Sequence, residues 1–86
     1  MHYGVNWGVI LERNAKKFHN KLALIFEDKK FTYGELFELV NQTANYLVRK
    51  GVKKGDRVCI CLPNCWEHFV CMYGVMRAGA VVLPLN

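Results

Sequence analysis

Apolar residues recur along this chain with two different periods, and the switches between them mark out the elements. Trp7, Leu11, Ala15 and Phe18 fall on one face of a helix expected over residues 7–18, with Glu12, Arg13, Lys16 and Lys17 outside and Asn6 as its N-cap. The run LALIF (22–26) then reads as a strand. The charged turn Glu27-Asp28-Lys29-Lys30 and a short return over Lys30–Thr32 predict a hairpin. From Tyr33 to Lys50 the helical period returns: Leu36, Phe37, Val40, Ala44, Leu47 and Val48 line one side, while Glu35, Glu38, Gln42, Asn45 and Arg49 line the other.

This second helix carries its own start and stop signals. Thr32 can accept a hydrogen bond from the backbone three residues on, and Glu35 can reach back to Thr32, which is the pattern of a capping box. Gly51 follows the last apolar position and stops the helix. RVCICL (57–62) is a continuous apolar run after the Gly55-Asp56 turn, as expected of a strand covered on both faces. Asn64 is the expected cap of a third helix over 65–78. That helix is apolar nearly all round through Trp66, Phe69, Val70, Met72, Tyr73, Val75 and Met76, and is therefore expected to be buried. Gly79 ends it, and AVVLPL (80–85) makes the second strand of a β-α-β unit whose strands should run parallel through a right-handed crossover. The class is α/β. A parallel sheet needs cover on both faces and more than two strands, so the chain reads as the front part of a larger α/β domain.

Eighty-six residues make one small domain at most, and a composition 52% hydrophobic and 13% aromatic is that of a globular chain. The net charge of +5 could attract polyanions, but its densest run, RKGVKKGDR (49–57), sits where cations favour the C-terminal end of a helix dipole. A solvated helix end is the expected reading, and nucleic acid is not an expected partner. No secretory signal is visible and the window 69–85, interrupted by Arg77, Gly74, Gly79 and Pro84, fails as a membrane span, so a cytoplasmic protein is expected. Cys59, Cys61, Cys65 and Cys71 follow C-x-C-x3-C-x5-C, which matches no zinc pattern; they are expected to be buried free thiols.

The chain offers no complete active site. Gly74 and Gly79 have the G-x4-G spacing, but Ala80 and Val81 stand where a phosphate loop needs Lys and Ser or Thr. Gly51 and Gly55 precede a strand and belong to a turn. There is no serine, and His2, His19 and His68 have no partner pattern; His68 reads as a surface residue beside Glu67. The triplet Asn41-Gln42-Thr43 lies inside a helix and is not read as a glycosylation site. No catalytic, cofactor-binding or metal-ligating residue is therefore assigned.

FTYGEL (31–36) and MRAGAVVLPLN (76–86) resemble the first and second signature segments of the adenylate-forming, AMP-binding superfamily, in that order and with fitting separation. GVKKGDRVCICLPNCWE (51–67) is similar to the stretch between them, and ILERNAKKF (10–18) with LALIFEDKKFTYGEL is most similar to fatty-acyl or related acyl-CoA ligases. The family's prolines are missing from the turn at Phe18-His19-Asn20-Lys21-Leu22, where a looser connection is expected. The resemblance implies that residues 1–86 are a partial N-terminal subdomain of an acyl-CoA synthetase, a ligase of fatty acid metabolism, without the later nucleotide-binding segments and C-terminal lid. The complete enzyme would activate a carboxylic acid, expected to be a fatty acid, with ATP and Mg²⁺ to an acyl-adenylate, and transfer it to CoA. The fragment alone is expected to bind none of these cofactors, to be inactive, and to self-associate through exposed apolar surface. The alternative is a small independent binding or regulatory module that pairs through its exposed sheet edge.

Overall fold

The structure is a computed structural model that describes residues 7–63 and 65–84. Seven elements follow one another: α1 (Trp7–Lys17), β1 (Leu22–Phe26), β2 (Lys29–Thr32), α2 (Tyr33–Arg49), β3 (Arg57–Ile60), α3 (Trp66–Arg77) and β4 (Val81–Pro84). They form the expected α/β arrangement, with β1–β2 antiparallel and β3–β4 parallel. Asn6, expected to cap α1, lies outside the described residues.

The hairpin closes one residue earlier than the sequence pattern suggested. Phe26 pairs with Lys29 across Glu27-Asp28, and Glu27 takes a positive φ of 55° to make that two-residue turn. Between Leu22 and Leu24 the register slips. The extra residue lets Ala23 and Leu24 both pack on the core, against the cluster of Leu11, Leu36, Val40 and Val70. Leu22 and Ile25 are left on the solvent side. The turn before β1 has no proline but is tied by three backbone bonds: Lys21 N–H to Phe18 O, Tyr33 N–H to Lys21 O and Gly34 N–H to His19 O.

Helix α2 begins on the capping box. Glu35 N–H donates to Thr32 Oγ1 at 3.1 Å and Thr32 N–H donates to Glu35 Oε1 at 2.9 Å. Val40, wholly buried, is at the centre of its inward face with Leu36 and Ala44. Val48 is a correction: next to last in the helix, it is left uncovered by the described residues and is 55% exposed.

A second cluster, Ile60, Val75 and Ala80, forms where α3 lies across β3 and β4, with Leu47, Val52, Val58 and Val82 around it. Here three expectations are corrected. β3 ends at Ile60, so Cys61 and Leu62 are exposed loop. Its other face is open, because alternation along the two strands sends Val58, Ile60 and Val82 towards α3 and leaves Arg57, Cys59, Val81 and Leu83 exposed together. Helix α3 is not buried all round either: Phe69 faces away from the sheet and is partly exposed.

Candidate functional site

Arg77, in the last turn of α3, holds the one polar side-chain cluster that joins distant parts of the chain among the described residues. Its Nη1 donates to Glu12 Oε1 on α1 at 2.5 Å and its Nε donates to Asn41 Oδ1 on α2 at 3.1 Å. The guanidinium also lies 5.1 Å from the centre of the Phe37 ring. The hydrogen bond and charge of Arg77, helped by Lys16 at 3.4 Å, hold the Glu12 carboxyl below its ordinary value. Neither Glu12 nor Arg77 was singled out from the sequence. They are 65 positions apart, and no local pattern links two charges that meet only when three helices pack.

The described residues form two concavities, and the larger shares Lys16, Phe37 and Asn41 with this cluster. One, of about 200 Å³, is lined by Leu11, Asn14, Leu24, Tyr33, Phe69 and Tyr73. Burial, and secondarily Tyr33, pushes the Tyr73 hydroxyl up, so it stays a neutral phenol. The other, of about 410 Å³, is an open groove bordered by Lys16, His19, Gly34, Glu38, Asn41 and Asn45. The His19 ring lies so close over Gly34 that a Cβ there would be 2.4 Å from its Nε2. Its Nδ1 is 3.2 Å from Asn20 Oδ1, an exposed contact between neighbours that gives it no base's role. His2 lies outside the described residues, and His68 is half-buried on α3 rather than a surface residue.

The glycines that a phosphate site would need are committed elsewhere. Gly74 is where α3 touches α2: a Cβ would be 2.5 Å from Thr43 Cγ2. Gly79 has φ +87° and closes α3. Gly55, at φ +86°, donates its N–H to Gly79 O, and Asp56 O accepts from Val81 N–H, so both glycine turns are stitched to each other. Helix packing and turn formation take up the space and backbone that a phosphate cradle would use at these glycines. Among the described residues no group of three His, Cys, Asp or Glu side chains comes together, and no helix is long and apolar enough to cross a membrane.

The expectation of buried thiols is corrected. All four cysteines are free, but Cys59 and Cys61 are exposed, on the open face of β3 and just past its end, and Cys65 and Cys71 are half-buried. Burial, then Cys65 and Glu67, pushes the Cys71 thiol up.

Comparison with known proteins covers nearly all of this chain and a small part of its relatives. The family profile described as AMP-binding enzyme matches residues 11–86. A crotonobetaine/carnitine–CoA ligase from Citrobacter koseri is 42% identical over 77 residues, covering 84% of this chain and 15% of the relative. The ligase of the same name from Proteus mirabilis is 43% identical over the same lengths. Among solved structures, the Mycobacterium tuberculosis fatty acyl CoA synthetase superposes with a TM-score of 0.87 at 34% identity, covering 94% of this chain and 16% of that one. The Klebsiella oxytoca NpsA N-terminal subdomain in complex with anthranilyl-AMSN gives 0.88 at 34%, covering 92% of this chain and 21% of that one.

Proposed function

The chain belongs to the AMP-binding enzyme family, and on that premise we propose that it is part of the N-terminal subdomain of an acyl-CoA ligase. The whole enzyme would activate a carboxylic acid with ATP and Mg²⁺ and pass the acyl group to CoA. The observation that carries this reading is the identity of 42% over 77 residues to a named CoA ligase, joined to a fold that superposes on a fatty acyl CoA synthetase. The chain spans about 15% of the length of the curated relatives it matches. The roles of its residues are accordingly those of scaffold: Thr32 and Glu35 start α2, Gly74 lets α3 approach α2, and Gly79 turns the chain into β4.

Taken alone, these residues should not catalyse. Adenylate formation needs positive groups aimed at the charge that develops as pyrophosphate leaves, and the glycines here are engaged in packing and capping. The open face of β3–β4 would drive the isolated chain to self-associate. Free exposed thiols suit a reducing, cytoplasmic setting.

A chimera tests the assignment. Residues 11–86 replace the matching segment of the Citrobacter koseri ligase, and pyrophosphate release and acyl-CoA formation are followed with fatty, aromatic and betaine-type acids. An active chimera beside an inactive 86-residue chain is the expected result. A chimera that folds and binds ATP but acylates no acid of the panel would overturn the ligase reading, as would ATP-dependent product from the short chain its claim of inactivity.

A further inference from the structure

Among its described side chains, helix α1 is held by a small apolar contact and one polar cluster. Leu11 enters the core with Leu36, Val40 and Val70, and Ala15 is buried. Beyond these, the side-chain hydrogen bonds between helices among the described residues are those of Arg77: one to Glu12 on α1 and one to Asn41 on α2. The same guanidinium lies against Phe37 of α2. A planar fork can bond two helices in different directions while stacking on a ring, which an ammonium group cannot do. α2 and α3, by contrast, are locked by close backbone approach at Gly74 and Thr43.

We propose that Arg77 is a positioning residue that clasps α1 onto the α2–α3 pair through Glu12, and that loss of the Glu12 charge makes α1 open more often as a separate unit while the rest of the fold stays closed. The groups facing Glu12 are Lys16 on α1 and Arg77 on α3. From α2 the neighbour is Asn41, which meets Arg77, and Glu38 borders the adjoining groove beside Lys16. The direction of the pH effect follows from Glu12 being held below its ordinary value of 4.5. The clasp is complete above that value and is lost as the pH falls through the lowered one.

Amide hydrogen exchange, resolved by element in the 86-residue chain at a dilution where sedimentation shows a monomer, is the test. Glu12→Gln and Arg77→Lys should speed exchange in residues 11–17 about two- to fivefold at neutral pH, and leave α2 and α3 at their wild-type rates. Lys16→Met, which removes the partner on α1 itself, should leave α1 docked. In the wild type, α1 alone should accelerate on acidification below the ordinary glutamate range, and the difference from Glu12→Gln should vanish there. Equal acceleration of α1, α2 and α3, no acceleration at all, an α1 already unprotected in the wild type, or a pH profile shared by Glu12→Gln would each overturn the proposal.

Discussion

At their C-termini α2 and α3 are built alike, and at their N-termini they are not. After α2, Gly51 N–H donates to Val48 O and Val52 N–H to Leu47 O; after α3, Gly79 N–H donates to Met76 O and Ala80 N–H to Val75 O. Both are Schellman closures around a glycine with positive φ, and in both the flanking apolar pair joins the same cluster. At the start, Thr32 and Glu35 satisfy each other's backbone groups before α2, whereas Cys65 holds the N-cap position of α3 in an extended conformation with no side-chain bond. Asn64, the cap expected from the sequence, lies outside the described residues. Its own cap gives α2 about 1 kcal/mol that α3 lacks. α3 draws its stability from burial of Val70 and Val75 and from its approach to α2.

The sharpest way to break this contrast is at the approach itself. Gly74→Leu would drive a side chain into Thr43, whose own hydroxyl is held by Leu39 O at 3.0 Å. Overpacking of this kind should cost about 2–3 kcal/mol by denaturant unfolding. An unchanged midpoint would mean that the helices can separate freely there. At the start of α2, Thr32→Ala should lower stability by about 1 kcal/mol, since it leaves Glu35 N–H without its acceptor. The same denaturation curve checks it, and a midpoint equal to the parent's would show that the cap contributes nothing. The smallest effect makes α3 resemble α2. Cys65→Ser puts a good acceptor on a backbone already extended at φ −152° and ψ 173°, and should raise stability by roughly 0.5 kcal/mol, read as a higher midpoint. A fall instead would show that the half-buried thiol was packing more than the hydroxyl could cap.

What was legible in the sequence was local or periodic. The limits of β1, the capping box, both glycine stops and the parallel pairing of β3 with β4 all follow from residues within a few positions of one another, or from a run whose period names its partner type. The errors have one physical form. A hydrophobic pattern states which residues would be stable if covered, and cannot state whether cover arrives. Val48, Leu62, Cys59 and Cys61 are expected inside on pattern alone, and they lie where no described element covers them.

The sequence by itself determined the order of the seven elements, the capping box of α2, the glycine stops of α2 and α3 and the α/β class, because backbone conformation and amphipathic period are properties of neighbours along the chain. Only the tertiary structure decided the rest. The register slip that turns both Ala23 and Leu24 inward, the meeting of Glu12, Asn41 and Arg77, and the use of Gly74 as a helix contact rather than a phosphate cradle depend on distances between segments tens of residues apart. Those distances are fixed by how the faces pack, and packing joins residues that no sequence spacing relates.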